Sequence, residues 1–182
     1  MKPDEALVAY LEMLRRWSPR VDLVAPGDLE RLESRHIDDS LKALTILEVA
    51  PEGPGLDVGS GAGLPGVPLA IVGDRWWRLL EPRAKRAAFL DEVVRELDLP
   101  AEVVRKSAQQ AAADPSLAGR HAAVTARALA PPVRAFELMR PLVAADGLRI
   151  VWVGLDAEIP PDAERAPGGL AIIGPGGPKP GT

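Results

Sequence analysis

The segment Gly55-Leu-Asp-Val-Gly-Ser-Gly-Ala-Gly-Leu-Pro-Gly66 predicts the fold around it more strongly than any other part of this 182-residue chain. Its first residues, 55–58, form a short and mainly apolar run that is typical of a buried strand. Glycines at 59, 61 and 63 then allow a tight turn, and Pro65 stands where the first turn of a helix tolerates proline. Because a helix after such a turn presents free N–H groups to polar ligand atoms, we expect a nucleoside cofactor here.

Two ligand templates fit these glycines. The pattern G-x-G-x-x-G over residues 61–66 matches the fingerprint that binds the pyrophosphate of dinucleotides such as NAD. The pattern D-x-G-x-G-x-G over residues 57–63 resembles instead the first motif of class I S-adenosylmethionine methyltransferases. The second template fits better, because the strand ends at Val58 and because Pro65 lacks the N–H that a pyrophosphate would use. Its cofactor-binding residues are Asp57, Gly59, Gly61 and Gly63.

Composition excludes several kinds of chemistry. The chain contains no cysteine, which rules out disulfides, cysteine zinc sites, iron–sulfur clusters and a cysteine nucleophile. Its two histidines, His36 and His121, lie too far apart to give a metal-ligand spacing, and we expect no metal site. No apolar run reaches the roughly 18 residues that cross a bilayer, and the N-terminus lacks a signal-peptide core. We therefore expect a soluble, cytoplasmic protein, and we expect it to be a monomer.

The net charge of −4 argues against nucleic-acid binding through bulk electrostatics, because contacts to phosphates need a concentrated basic surface. Any RNA site must therefore be local. Two basic clusters are candidates, and each is also consistent with an ordinary solvated surface. The first comprises Arg15, Arg16 and Arg20, and the second comprises Arg75, Arg78, Arg83, Lys85 and Arg86.

Hydrophobic periodicity divides the chain into three parts. Residues 1–50 predict a helical cap, with an amphipathic helix over 4–17 capped by Asp4 and a second helical stretch that begins at Asp28. Residues 51–174 alternate between strands and helices, which is typical of a doubly wound, mostly parallel α/β sheet. Residues 175–182 contain no core residues, and we expect a disordered tail.

The predicted core contains five strands and three helices before a shortened final hairpin, whose last strand is the apolar run 170–173. Trp76 and Trp77 open the second strand, so one should pack in the core while the other points away. The strands are expected at 55–58, 76–80, 101–105, 121–126 and 148–153. The helices are expected near 65–72, 84–98 and 132–143, with a short helix or loop over 107–118.

Three polar residues are candidates for the site. Glu81 follows the second strand at its carboxyl end, where the ligand crevice of an open α/β sheet lies, and its carboxylate can accept hydrogen bonds from both ribose hydroxyls of either cofactor. Arg127 follows the fourth strand at the same rim and could bind a phosphate, the cofactor carboxylate or a base. His36 could face the cleft from the cap. Each also has a structural interpretation that involves no ligand. Glu81 could be a helix-capping acid, Arg127 one partner of a surface ion pair, and His36 a packed polar residue.

A substrate prediction comes from a missing motif. Class I methyltransferases that act on exocyclic amines usually carry a polar-Pro-Pro-aromatic motif after the fourth strand. The segment Leu129-Ala-Pro-Pro-Val133 has the two prolines without the polar and aromatic residues. Guanine N7 instead presents a free lone pair, so methyl transfer to it needs no general base and can depend on alignment and electrostatics.

The order of motifs resembles one family, the bacterial 16S ribosomal RNA guanine-N7 methyltransferases of the small subunit, also called glucose-inhibited division protein B. The resemblance is carried by residues 11–17, 35–41, 57–68, 79–90 and 126–128. It implies S-adenosylmethionine as the cofactor and 16S ribosomal RNA or the small ribosomal subunit as the partner. It also implies a Rossmann-like class I methyltransferase fold with an N-terminal helical cap.

The resemblance implies roles for individual residues as well. Contacts to the cofactor are implied for Gly59, Leu64, Gln109, Gln110 and Arg127. The catalytic face where the guanine enters is implied to contain Arg35, His36 and Arg127.

The chain departs from the family pattern at several positions. Ala108 and Gln110 stand where an arginine and a glutamate usually follow the third strand, and Val153 stands where a lysine usually ends the fifth. Fewer basic residues weaken the expected RNA binding, and the missing glutamate weakens recognition of the adenine amino group. A divergent relative that binds the cofactor but methylates another substrate, or nothing, is therefore an alternative. An NAD-dependent oxidoreductase is a third hypothesis.

Overall fold

The computed structural model describes residues 1–25, 27 and 36–175, and it shows a seven-stranded sheet between two layers of helices. The strands are β1 (Gly55–Val58), β2 (Trp77–Leu80), β3 (Ala101–Val104), β4 (His121–Ala126), β5 (Val143–Trp152), β6 (Glu164–Ala166) and β7 (Leu170–Ile173). The helices are α1 (Pro3–Trp17), α2 (Asp38–Leu41), α3 (Leu44–Leu47), α4 (Gly66–Val72), α5 (Ala84–Glu96), α6 (Ala108–Ala112) and α7 (Pro132–Met139).

The strand order in the sheet is β3-β2-β1-β4-β5-β7-β6. Strands β1 to β5 run parallel, and β7 pairs antiparallel with both β5 and β6. The chain winds outward from β1 to β3, returns to the centre at β4 and then winds the other way. This reversal opens a crevice at the carboxyl ends of β1 and β4, where open α/β sheets bind their ligands. The predicted doubly wound, mostly parallel sheet with N-terminal helices and a short final hairpin is confirmed.

Two core elements differ most from their predicted boundaries, whereas β2, β3, α4 and α5 differ by one or two residues. Strand β5 begins at Val143 rather than at 148, because its register with β4 is irregular over residues 144–147 and pairing starts before the apolar run. Helix α7 ends at Met139 rather than near 143. Its end follows from Pro141, which has no N–H to continue the helical hydrogen bonds.

The start of α1 also differs from the prediction. The helix begins at Pro3 with Lys2 as the N-cap residue, so the predicted cap at Asp4 is wrong and Asp4 lies in the first turn. The fixed φ of proline suits the first helical position. The Glu5 carboxylate then accepts a hydrogen bond from the Lys2 N–H at 3.3 Å. The predicted helix start at Asp28 and the predicted tail from 176 onward lie outside the described residues.

The sheet separates two apolar clusters. One packs α1, α4 and α5 against one face and includes Leu14 and Phe89. The other packs α6 and α7 against the opposite face and includes Phe136. Trp77 is fully buried in the first cluster, whereas Trp76 is 37% exposed, which confirms the predicted division between the two tryptophans. Because α1 shares a cluster with the sheet, the N-terminal cap is packed directly behind the crevice.

Candidate active site

The glycine turn, residues 59–65, connects β1 to α4 and is bonded to the end of β2. The N–H groups of Gly59 and Ser60 donate to the carbonyl of the last β2 residue at 2.8 and 3.0 Å. Gly61 and Gly63 have φ values of +56° and +92°, which residues with a Cβ rarely adopt. A Cβ at Gly63 would lie 2.6 Å from a side chain of α4, whereas at Gly61 the nearest atom would be 3.6 Å away. The turn is therefore packed on its helix side and has room for a ligand near Gly61.

The hydroxyl of Tyr10, on α1, supports the middle of the glycine turn. It donates to the Ala62 carbonyl at 2.6 Å, and the Tyr10 side chain is fully buried. Burial, and then the charge of Asp57, raises the pKa of Tyr10 well above its ordinary value, so the hydroxyl remains a donor. This role was not predicted, because Tyr10 occupies one of the apolar positions of an amphipathic helix. The sequence signal that could have indicated this role is a tyrosine on the buried face of a helix, because a buried tyrosine hydroxyl needs a hydrogen-bond partner.

Asp57, predicted to bind the cofactor, lies beneath the glycine turn and is 1% exposed. Its Oδ1 accepts a hydrogen bond from Thr125 Oγ1 at 2.9 Å, and its Oδ2 accepts one from the Gly66 N–H at 3.2 Å. Burial raises the pKa of Asp57 from 3.8 to about 6, although these hydrogen bonds oppose the shift. The carboxylate thus joins β1, β4 and the start of α4, and it positions the turn from below.

Glu81 lies at the end of β2, as predicted, and faces the glycine turn. Its Oε2 accepts a hydrogen bond from the Gly61 N–H at 2.9 Å, and its Oε1 accepts one from the Arg83 N–H at 2.8 Å. Among the described residues each oxygen has this one hydrogen bond, which leaves one lone pair per oxygen for a hydroxyl donor. A ribose with two hydroxyls fits this acceptor set, and the turn beside it has no Cβ at Gly61 to obstruct a ligand. The chain's residues therefore fit a nucleoside cofactor.

A cavity of about 270 Å³ lies against the glycine turn. The turn contributes one wall, residues 23–25 contribute a second, and Arg86 lies near Gly61. The lining residues that were predicted to be functional are His36, Gly59, Gly61, Leu64 and Arg127.

Arg127 and His36 meet at this cavity although they are 91 residues apart in sequence. Arg127 Nη2 lies 2.6 Å from His36 Nδ1, and Nη1 donates to the His36 carbonyl at 3.4 Å. Because the guanidinium can only donate, Nδ1 of His36 is the acceptor, and a neutral ring carries its proton on Nε2. Asp39 Oδ2 lies 3.6 Å from Arg127 Nη2. The third predicted catalytic residue, Arg35, lies outside the described residues.

The structure does not bring Gln109 and Gln110 to the cavity. Both side chains are exposed on α6. Gln110 Oε1 accepts a hydrogen bond from the Ser107 N–H at 2.8 Å, and Ser107 Oγ accepts one from the Gln110 N–H at 3.2 Å. This reciprocal pair is a capping box, which satisfies two donors at the start of α6. In this arrangement Gln110 stabilises the helix, and its predicted contact with the cofactor stays a prediction.

The described ranges hold no group of three or more histidine, aspartate or glutamate side chains that could bind a metal ion. In the same ranges every helix is too short or too polar to span a bilayer.

Solved structures share this fold. One is a protein from Corynebacterium glutamicum, with a TM-score of 0.61 and 14% identity over 92% of this chain and 89% of that chain. Another is geranyl diphosphate C-methyltransferase from Streptomyces coelicolor A3(2), with a TM-score of 0.54 and 19% identity over 71% of this chain and 52% of that chain. At these identities the likeness shows the fold alone.

Sequence comparison gives the family. The chain is 36% identical to "Ribosomal RNA small subunit methyltransferase G" of Gluconobacter oxydans, over 85% of this chain and 76% of that protein. It is 43% identical to the protein of the same name from Methylobacterium radiotolerans, over 85% of this chain and 72% of that protein. The sequence model of one family, described as rRNA small subunit methyltransferase G, matches residues 4–162. Because this match covers most of the chain, the chain belongs to the GidB family of rRNA small subunit methyltransferases G.

Proposed function

We propose that this chain transfers the methyl group of S-adenosylmethionine to N7 of a guanine in 16S ribosomal RNA. Family membership makes the chain an rRNA methyltransferase and confirms the predicted cofactor. The acceptor atom, guanine N7, and the choice of 16S RNA among the ribosomal RNAs are the part that we propose. The observation that carries this proposal is the pairing of Arg127 with His36 at the same cavity as the glycine turn.

The bound cofactor would supply an electrophilic methyl group on a sulfonium. Glu81 would accept hydrogen bonds from the ribose hydroxyls, because each of its oxygens has a lone pair left and Oε2 is already bonded to the Gly61 N–H of the glycine turn. Asp57 and Tyr10 hold the turn from beneath and from α1, so they fix the position of the site without entering the cavity. Such preorganisation reduces the motion that is needed to reach the reactive geometry.

Guanine N7 is a suitable acceptor because its lone pair is available without removal of a proton. The described lining of the cavity contains no carboxylate, and His36 Nδ1 is already occupied by Arg127. The residues present are therefore better suited to orienting a base than to removing a proton from it. Arg127 can do this by donating a hydrogen bond to a guanine acceptor or by stacking on the base.

Exposed basic residues near the cavity could bind the RNA backbone. Arg86 lies at the cavity and contacts Asp22, which places the end of α1 next to the start of α5. Arg20, Arg83 and Lys85 lie in these same two regions, are exposed and form no ion pair with another described residue. This group combines parts of both basic clusters predicted from the sequence. It gives a local positive surface despite the net charge of −4.

The substrate is ribosomal RNA, and we propose that the chain acts on it in the cytoplasm as a monomer. The test is transfer of labelled methyl groups to small ribosomal subunits, and to their deproteinised RNA, at several salt concentrations. We expect label at N7 of one guanine. The proposed activity is wrong if the chain binds S-adenosylmethionine but labels no RNA under any of these conditions.

The Arg127→Ala variant tests whether the pairing of Arg127 with His36 at the cavity contributes to activity. We expect kcat/KM for RNA to fall about 100-fold, because a positioned donor at the reacting base is lost. Arg134→Ala is the matched control, since Arg134 is exposed on α7 and pairs only with Glu137 among the described residues. Equal activity of the two variants would contradict a role for Arg127 in the site.

A divergent relative that binds the cofactor and methylates another substrate, or nothing, is the second candidate. The exposed position of Gln110 and its bond to Ser107 favour it, because this residue is engaged in helix capping rather than at the cavity. Calorimetric titration with S-adenosylmethionine and S-adenosylhomocysteine, side by side with NADH, separates the candidates. Tight binding of the first two without RNA labelling supports the divergent relative, and binding of NADH alone would support a dehydrogenase.

A further inference from the structure

A second cavity, of about 290 Å³, adjoins the cavity at the glycine turn. The two cavities share Arg127 and Ala128, so they meet at these two residues. The remaining lining residues of the second cavity are Asp39, Trp152, Val153, Gly168 and Gly169. A planar base that enters beside Arg127 could therefore extend from one cavity into the other.

Asp39 is the acidic residue of this second cavity, and its position is fixed by several contacts. Its Oδ1 accepts a hydrogen bond from Lys42 Nζ at 2.8 Å, and its Oδ2 lies 3.6 Å from Arg127 Nη2. The indole of Trp152 donates to the backbone carbonyl of Asp39 at 2.9 Å. The side chain is 26% exposed, so a ligand can reach it. A carboxylate only accepts hydrogen bonds, so the ligand groups that suit Asp39 are donors.

We propose that Asp39 binds the Watson–Crick edge of the guanine that is methylated, an inference that rests on the proposed function. A carboxylate has about four lone-pair positions; Lys42 Nζ occupies one by a hydrogen bond at 2.8 Å, and the ion pair with Arg127 Nη2 at 3.6 Å faces a second. The other two match the N1–H and the 2-amino group of guanine, which are adjacent donors. Adenine has an acceptor at N1 and no 2-amino group, so it would place a lone pair against the carboxylate. Asp39 is thus a specificity-determining residue.

This placement also directs N7 toward the methyl donor. N7 lies on the edge of the purine opposite the 2-amino group, so a guanine bound at Asp39 turns N7 toward Arg127 and the glycine turn. The O6 acceptor lies between the two edges, and a guanidinium carries five N–H donors, so Arg127 can donate to it as well. The position of Arg127 where the two cavities meet agrees with this orientation.

Asp39 would also stabilise the charge that forms during the reaction. The N7 lone pair forms the bond to the methyl carbon, the carbon–sulfur bond breaks, and its electron pair stays on sulfur. The positive charge thereby moves from the sulfonium to the purine ring. Because the N1–H becomes more acidic as this charge develops, its hydrogen bond to the Asp39 carboxylate strengthens in the transition state. Asp39 should therefore contribute to kcat as well as to binding.

The test compares guanosine with inosine, which lacks the 2-amino group. The probe is 16S RNA assembled by ligation so that the nucleotide mapped in the labelling experiment is either guanosine or inosine. We expect the wild-type chain to prefer guanosine by about 10- to 100-fold in kcat/KM, the range typical of a paired donor–acceptor contact to a base. In Asp39→Asn the preference should fall to about one or invert, because the new amide donor opposes the 2-amino group.

Asp38→Asn is the matched control, because Asp38 is the adjacent residue and is exposed. It should keep the wild-type preference for guanosine. Equal methylation of both RNAs by the wild type, or an unchanged preference in Asp39→Asn, would overturn the proposal. The affinities for the guanosine RNA and the inosine RNA are measured in parallel. A variant that methylates too slowly to be assayed then still gives a ratio of the two affinities. If the wild-type chain methylates neither RNA, the proposed function is wrong, and the binding ratio alone decides whether Asp39 recognises guanine.

Discussion

Folding removes the Asp57 side chain almost completely from water, and its burial makes the stability of the chain depend on pH. Its pKa is about 6 in the folded chain against 3.8 for an ordinary aspartate. Between these values the folded chain holds a proton that the unfolded chain has released. The contribution of Asp57 to the free energy of unfolding should therefore be largest below about pH 4, and it should fall by about 3 kcal/mol as the pH rises through 6.

Chemical denaturation between pH 4 and 7 tests this expectation with the Asp57→Asn variant. Asparagine supplies one acceptor where the carboxylate supplies two, so the variant should be less stable at every pH. The difference between wild type and variant should nevertheless shrink as the pH rises, because only the wild type titrates at this position. Asp74→Asn, a change at an exposed position, should give a difference without that trend. A difference that is constant with pH for both variants would show that Asp57 does not titrate in this range.

Sequence patterns predicted some site residues and not others for physical reasons. Glycines and a carboxylate at the end of a strand have few alternative explanations, so Gly61 and Glu81 were correctly expected at the turn. The same pattern could not show that Asp57 faces inward, since that depends on Thr125 from a distant strand. Asp39 lies in the stretch 35–41 that carries the family resemblance, but no role was predicted for it, because its cavity forms only when β5 and the final hairpin come together.

At the scale of elements, α1 contributes to the site through one side chain. Changing Tyr10 to phenylalanine removes the donor to the Ala62 carbonyl and keeps the ring. We expect a loss of about 1 to 2 kcal/mol in the free energy of unfolding, because a buried carbonyl loses its partner. Binding of S-adenosylmethionine should weaken at the same time, since the glycine turn is less well held. Urea denaturation and calorimetric titration measure the two effects.

Val8→Ala serves as the comparison for Tyr10→Phe. Val8 lies on the same helix and is 56% exposed, so its change should alter neither stability nor affinity appreciably. If Tyr10→Phe binds the cofactor as tightly as Val8→Ala, α1 supports the fold without influencing the turn.

Elements differed in how well the sequence predicted them. Strands β1 and β4 match their predicted residues because both are short apolar runs that are buried along their whole length. The beginning of β5 was missed because Ala144, Ala145, Asp146 and Gly147 resemble a loop, and only pairing with β4 makes them part of the strand. The N-cap of α1 was missed because Lys2 is not a usual capping residue, and Pro3 determines the start instead.

At the scale of the whole molecule, the predicted helical cap (1–50) and core (51–174) share one apolar cluster. Leu14 of α1 is fully buried in it together with Phe89 of α5, and the rings of Trp17 and Phe89 lie 5.7 Å apart. We propose that these two parts unfold as one cooperative unit. Calorimetry should then show a single transition whose calorimetric and van't Hoff enthalpies agree.

The Leu14→Ala variant makes this prediction sharper. A buried leucine truncated to alanine costs about 2 to 5 kcal/mol, and the single transition should move to a lower temperature without splitting. Leu155→Ala is the control, because Leu155 is 90% exposed and its loss should leave the transition in place. Two separate transitions in the wild type, or a second one that appears only in Leu14→Ala, would show that the cap folds independently of the sheet.

The contact between Tyr10 and Ala62 also gives the protein a spectroscopic label. Tyr10 is the single tyrosine of the chain, and its hydroxyl is bonded to the turn that is expected to hold the cofactor. Replacing tyrosine biosynthetically with 3-fluorotyrosine would therefore yield one ¹⁹F resonance, assigned without mutagenesis. Its shift and line width would follow the state of the glycine turn during titration with cofactor or with ribosomal subunits, even in an assembly too large for most other resonances to be observed.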